Sequence, residues 1–171
     1  SKISILGNFL PAPLPAYGAP DLQEPYIVYI GRLSQEKGIF TLLNVMRDMT
    51  SLRLKVMGTG PLLEDTKTYI QSHRLHNIEM LGFVDGEEKY RILRSALCCV
   101  VPSECYEVFP FVVLESAAVG TPIVSSRIGS LATLVSEGER GLLFTPGESA
   151  DLREKLELLV AATGCMRKGR S

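Results

Sequence analysis

The chain has 171 residues, of which 46% are apolar and 22% charged, and its net charge is −1. That length and composition suit one globular domain with a real core and exclude a disordered chain. A near-neutral balance gives the whole molecule no attraction for nucleic acid or an anionic membrane, so any anion site must be local.

Residues 1–25 hold an apolar opening, Ile3 to Leu6, and then five of the ten prolines: Pro11, Pro13, Pro15, Pro20 and Pro25. Proline at that density favours an extended path poor in hydrogen bonds, so this segment reads as a linker leaving something that precedes it. From Tyr26 the pattern becomes regular. Tyr26 to Ile30 is an all-apolar, β-rich run ended by Gly31, as a buried parallel strand would be. Gly38 to Met49 follows, with Ile39, Leu42, Leu43 and Met46 on one helical face. Leu52 to Met57 is a second strand, closed by Gly58-Thr-Gly-Pro61. Pro61 is expected at the first helical position, with Glu64 and Asp65 just inside and His73 and Arg74 at the far end.

Asn77 to Leu81 is a third strand, ended by Gly82. Asp85 and Glu88 resemble a capping box opening a helix that runs through Leu97. Ala96 to Val101 is a fourth, fully apolar strand. Pro110 then stands where a helix ending at Gly120 would begin. Pro122 to Ser125 makes a fifth strand, Ser130 to Ser136 a short helix, and Gly141 to Phe144 a sixth strand. Ser149 is expected to cap a last helix carrying Leu152, Leu156 and Leu159. Six strands without polar alternation, joined by helices, mean a parallel sheet covered on both faces. With right-handed crossovers the expected fold is α/β, a doubly wound, six-stranded Rossmann-like sheet over 26–171.

Four cysteines, Cys98, Cys99, Cys105 and Cys165, show no C-x-x-C spacing and read as free thiols of a reducing compartment. No apolar run reaches the ~18 residues of a membrane span and no signal peptide opens the chain, so the expected location is cytoplasmic. His73 and His76 lack supporting ligands. They fit a helix C-terminus better than a metal site.

Ligands of such sheets bind beyond the carboxyl ends of the strands. There this sequence places glycines and charges: Gly31 to Gly38, Gly58 to Pro61, Gly82 to Asp85, the Glu107 loop, and Ser126 to Gly129. Lys37 stands at a helix start, where a cation opposes the macrodipole by ~0.3–1 kcal/mol. A phosphate held there would explain it, and Arg32 has the fork of donors to grip the same group. Solvated surface cations are the other reading. The loop is neither G-x-G-x-x-G nor a Walker A sequence. Gly58 and Gly60 allow close backbone approach to a base or phosphate, or serve a turn. Glu107 and Glu115 flank a seven-residue, nearly apolar run. Ionised carboxylates there need a partner, either a ligand or a cation such as Arg127 or Arg32. Tyr106 and Phe109 are placed to stack on a ligand or to pack.

Taken in order, Gly31-Arg-x4-Lys-Gly38, Val-Met-Gly-x-Gly-Pro61, Leu-Gly-Phe83, Pro102-Ser-x3-Glu-x-Phe109, Glu115-Ser-Ala-Ala-x-Gly-x-Pro122 and Gly141-Leu-Leu-Phe-x-Pro146 form a specific set. The sequence resembles, from about Tyr26 to Leu159, the C-terminal, donor-binding half of retaining GT-B glycosyltransferases of family 4. The family's E-x7-E signature falls on Glu107 and Glu115. The resemblance implies a nucleoside-diphosphate sugar as donor substrate and no further cofactor. It also implies that Arg32 and Lys37 neutralise the diphosphate leaving group. Glu115 would accept bonds from the ribose hydroxyls, and Glu107 would contact the donor sugar, as nucleophile or in positioning. Backbone around Phe83 and Val84 would meet the base, and amides of Val112, Val113 and Leu114 the phosphates.

No D-x-D pair appears, so no bridging metal is expected. The pattern departs from the family at Val108, where glycine is usual, and at Gly129-Ser130, where Gly-Gly is frequent. An acceptor-binding N-terminal domain is expected as the missing partner; these residues leave the acceptor unspecified, a membrane-associated one being an option. The chain alone is expected to transfer nothing. Two other readings keep the nucleotide sugar: a non-catalytic binding module, which needs no Glu107, and a sugar-nucleotide epimerase on a related fold. A glycosidase would have no use for cations that grip a diphosphate.

Overall fold

A computed structural model describes residues 24–107, 110–135 and 141–163. Six strands, β1 (Tyr26–Ile30), β2 (Arg53–Met57), β3 (Ile78–Gly82), β4 (Cys99–Val101), β5 (Ile123–Ser126) and β6 (Gly141–Phe144), form one parallel sheet in the order β3-β2-β1-β4-β5-β6. Six α-helices alternate with them: α1 (Ile39–Asp48), α2 (Leu63–Ser72), α3 (Gly86–Arg94), α4 (Phe111–Val119), α5 (Gly129–Leu134) and α6 (Ser149–Thr163). This is the doubly wound, Rossmann-like sheet that the strand–helix alternation predicts.

The pleat explains why the strands lack polar alternation. Successive side chains point to opposite faces, and both faces are covered. Ile27 and Tyr29 join one core cluster with Leu42, Leu43 and Met46 of α1 and Leu152, Leu156 and Val160 of α6. Tyr26 and Val28 join the other with Tyr90 and Leu93 of α3, Val113 of α4 and Leu131 of α5. Adjacent Cys98 and Cys99 divide the same way, one thiol in each cluster. Burial pushes both thiols up, Cys99 to about 12, so they are protonated apolar filler.

Several expected boundaries shift. Pro61 lies ahead of the N-cap Leu62 instead of at the first helical position. Asp85 does occupy the α3 N-cap, but Glu88 pairs with Arg91 and closes no capping box; α3 ends at Arg94, not Leu97. β4 is shorter than the apolar run 96–101, because Ala96 and Leu97 are buried turn residues before it. Ser149 sits inside the first turn of α6, where its hydroxyl donates to the Thr41 carbonyl at 3.3 Å. His73 caps the C-terminus of α2, Nδ1 lying 2.9 Å from the Tyr69 carbonyl. The segment up to residue 23, Val108, Phe109, Ser136 and Cys165 lie outside the described residues.

Candidate active site

The sheet order reverses between β1 and β4, and the crevice that opens there beyond the strand ends is where such folds hold ligands. Two adjoining cavities occupy that edge. One, of about 300 Å³, lies between the β1 and β4 loops and is lined by Lys37, Ser103, Glu107 and Val112, among others. A larger one, of about 530 Å³, runs along the β1, β2 and β3 ends past Gly58, Gly60, Phe83, Val84 and Lys89. Arg32 lines both.

The loop after β1 is built to carry the first cation. Ser34 donates to the Glu36 carboxylate at 2.6 Å, a 3₁₀ turn runs Gln35–Lys37, and Gly38 takes φ +66°. A Cβ on Gly38 would stand 1.9 Å from the Pro102 carbonyl oxygen, so only glycine lets this loop lie against the one after β4. The two loops are further joined by the Glu104 amide on the Glu36 carbonyl, 2.8 Å, and by the Thr41 hydroxyl on the Glu104 carboxylate, 2.6 Å. Lys37 is thereby aimed across the crevice. Its Nζ lies 2.6 Å from Glu107 Oε1, seventy positions away, and Ser103 donates to the same oxygen at 2.5 Å. A cation that looked misplaced at a helix start is therefore faced by Glu107. Beneath the pair, Tyr29 donates to the Arg32 carbonyl at 2.8 Å. Burial, reinforced by the Glu107 charge, raises the Tyr29 phenol well above its usual range.

Glu115 projects from α4 toward α3. Lys89 Nζ is 2.9 Å and the Tyr90 hydroxyl 3.2 Å from its Oε1. Both charged side chains are largely enclosed, at 15% and 14% exposure. Burial works to depress the Lys89 pKa, but the Glu115 carboxylate more than offsets it, and the ammonium is held above its ordinary value. Burial and the same carboxylate raise the Tyr90 phenol. The cations that meet the two acids are thus Lys37 and Lys89, not the Arg32 and Arg127 weighed from sequence.

Other expected site residues are placed as follows. Phe83 stands 77% exposed at the rim, and Val84 lines the larger cavity. Val112 lines the smaller one, while the Val113 and Leu114 side chains are buried and line neither cavity. Gly58 and Gly60 also touch the larger cavity. Their closest neighbours, however, are backbone: a Cβ would meet the Gly31 oxygen at 1.8 Å and the Leu33 oxygen at 2.4 Å. These glycines let the first two loops press together. Tyr106 is 80% exposed and lies over Gly129, and Ser130 donates to the Glu107 carbonyl at 2.7 Å. Lys89, Tyr90, Ser103 and Ser130 escaped the sequence reading. The signal available was positional: Lys89 stands four residues after the N-cap Asp85, and Ser103 four before Glu107. Among the described residues no three His, Cys, Asp or Glu side chains gather as a metal site would need, and no helix is long and apolar enough to cross a membrane.

The family model for glycosyl transferases group 1 matches residues 16–167. A curated relative, glycogen synthase of Mycobacterium tuberculosis, is 31% identical over 159 residues, 89% of this chain and 38% of that protein. Sulfoquinovosyl transferase SQD2 of Arabidopsis thaliana is 30% identical over 141 residues, 81% of this chain and 27% of that protein. The chain therefore spans well under half the length of these relatives. Among solved structures, sucrose-phosphate synthase from Thermosynechococcus elongatus aligns with a TM-score of 0.77 at 30% identity, over 86% of this chain and 39% of that one. The catalytic domain of cholesterol-alpha-glucosyltransferase from Helicobacter pylori shares the fold, with a TM-score of 0.73 at 22% identity over 84% and 91% of the two chains.

Proposed function

From the premise that the chain belongs to the glycosyl transferases group 1, we propose that its crevice holds the nucleoside-diphosphate sugar of a retaining transfer by a family 4, GT-B type enzyme. The observation that carries this reading is the convergence of Arg32, Lys37 and Glu107 on one crevice at the sheet's switch point. Arg32 and Lys37 take the diphosphate. Breaking the sugar–phosphate bond puts negative charge on that group, and two preplaced cations in a partly enclosed site lower its energy without a metal. Glu107 faces the donor sugar and must exchange its bond to Lys37 for bonds to sugar hydroxyls. The larger cavity receives the nucleoside: base along the backbone near Phe83 and Val84, ribose at Glu115. Amides of Val112 and Leu114 at the start of α4 meet phosphate oxygens; that of Val113, expected to join them, already donates to the Pro110 carbonyl at 3.0 Å.

The relatives' names include sulfoquinovosyl and rhamnosyl transferases and a glycogen synthase, which supports sugar transfer as the shared chemistry. The acceptor is met by a separate N-terminal domain, and the enzyme works in the cytoplasm. Calorimetric titration with UDP, GDP and ADP tests the reading. One diphosphate binds, and Arg32→Ala or Lys37→Ala weakens it at least tenfold, as loss of a charge-assisted bond worth ~1.5 kcal/mol requires. Binding by none of the three, or by the variants as by wild type, overturns it. With labelled donor the chain by itself turns over no sugar; turnover would sink the two-domain account.

A further inference from the structure

We infer that Ser130 is a positioning residue for Glu107, holding it toward the donor sugar once Lys37 has left it for the diphosphate. The inference rests on the donor-site reading above. The Ser130 hydroxyl donates to the Glu107 carbonyl at 2.7 Å, joining the loops after β5 and β4 across 23 positions of sequence. A second contact runs alongside it: a Cβ on Gly129 would stand only 2.8 Å from Cδ1 of the Tyr106 ring. These loops meet because β5 lies next to β4 in the sheet. What carries Ser130 is itself fixed. Leu131, the next residue, is fully buried, and its amide donates to the Ile128 carbonyl at 3.1 Å.

Glu107 has few other supports. Among the described residues its carboxylate takes bonds from Lys37 and Ser103, both on Oε1. A bound diphosphate draws Lys37 away, which leaves Ser103 on the side chain and Ser130 on the backbone. Contacts to a reacting ligand weaken steeply when the group making them is loose by even ~1 Å, so the backbone anchor counts most in the occupied site. The sequence is unusual at the same spot. This chain has Ser130 where a second glycine is frequent and Val108 where glycine is usual, and the carbonyl that Ser130 holds belongs to the peptide bond joining Glu107 to Val108. A glycine at 130 has no hydroxyl to give. The support therefore follows from this chain's own departure from the pattern.

The test titrates three pairs into the chain by calorimetry: UDP with UDP-glucose, GDP with GDP-mannose and ADP with ADP-glucose. For any pair that binds, the readout is the ratio of the two dissociation constants, sugar conjugate over bare diphosphate. Ser130→Ala raises that ratio about fivefold, the worth of one hydrogen bond between neutral groups, and moves the bare diphosphate by less than about twofold. Ser130→Thr, which keeps the hydroxyl, restores most of the wild-type ratio. In a Glu107→Ala background the further change Ser130→Ala leaves the ratio where it was, because the carboxylate being positioned is gone. Circular dichroism at the titration temperature establishes that each variant is folded; if Ser130→Ala is not, Ser130→Gly takes its place with the same expected shift. An unchanged ratio, equal weakening of both ligands, or an undiminished shift in the Glu107→Ala background overturns the inference while leaving the donor site standing. Binding of none of the diphosphates removes the donor-site reading instead, and the inference falls with it.

Discussion

Two ion pairs of the site are almost equally short, yet one ties loops and the other ties helices. Lys37–Glu107 bridges the loops after β1 and β4 across the crevice, with Lys37 28% exposed. Lys89–Glu115 joins α3 to α4, with both partners about 15% exposed and Tyr90 bonded to the same oxygen. Helices held by a shared core have little freedom to part, so the second pair is part of the frame. Loops that meet mainly through polar contacts can exchange a side-chain partner for a ligand. Coulomb attraction alone thus says little about what a charge pair is for. The rigidity of what carries each charge, and the water around it, decide.

The sharpest way to break the loop pair is through its support. Gly38→Ala sets a Cβ 1.9 Å from the Pro102 oxygen at φ +66°, and we expect it to lower stability by at least ~3 kcal/mol in urea unfolding. Gly120→Ala at the end of α4, with φ +79° but nothing within 4 Å of the added methyl, costs only ~1 kcal/mol. Equal losses would mean that the contact with Pro102 does not hold the loops together.

Next in size is the helix pair. Truncating one partner of an enclosed ion pair strands the other charge, so Glu115→Leu alone lowers stability by ~2–3 kcal/mol, whereas Glu115→Leu with Lys89→Met costs less than that single change. Additive losses in the double-mutant cycle would remove this pair from the frame. For the loop pair the expectation has the opposite sense. Glu107→Gln frees Lys37, tightens binding of the bare diphosphate by roughly threefold to fivefold (~1 kcal/mol), and abolishes transfer by the whole enzyme. Weaker diphosphate binding by this variant would show that Glu107 does not compete for the lysine.

A smaller difference separates the pairs in alkali. The folded-state pKa of Lys89 is raised above its ordinary 10.5, so its stabilising contribution is whole below that pH and is lost as pH rises through the folded value. Tyr90, raised above 10.0, acts in the same sense. Urea midpoints therefore fall above about pH 10, and they fall less in Lys89→Met; parallel curves would contradict the assignment. Smallest of all, Glu157→Ala removes an exposed α6 pair with Arg153 and leaves the urea midpoint at its wild-type value.

Much of this was legible in the residues. Apolar strand cores bounded by glycine, and helices with their apolar faces, are patterns of local period, and the described elements follow them within a few residues. Lys37 and Glu107 were legible as candidates because a cation at a helix start and a carboxylate in an apolar run are each locally uncomfortable. Lys89 was not. A lysine among acids in the first turns of a helix is ordinary until α4 is packed beside it.

By itself, then, the sequence determined the alternation of strand and helix, the two-sided burial of the sheet and the membership of the group 1 glycosyl transferases, because these follow from short-range spacing and an ordered set of motifs. Only the tertiary structure decided which cation meets which acid, and that Gly58 and Gly60 are pressed against the first loop. Those outcomes depend on the order β3-β2-β1-β4-β5-β6, which brings residue 37 to residue 107 and helix α3 to helix α4. Spacing along the chain carries the period of each element; contacts between elements are set by how the whole sheet is wound.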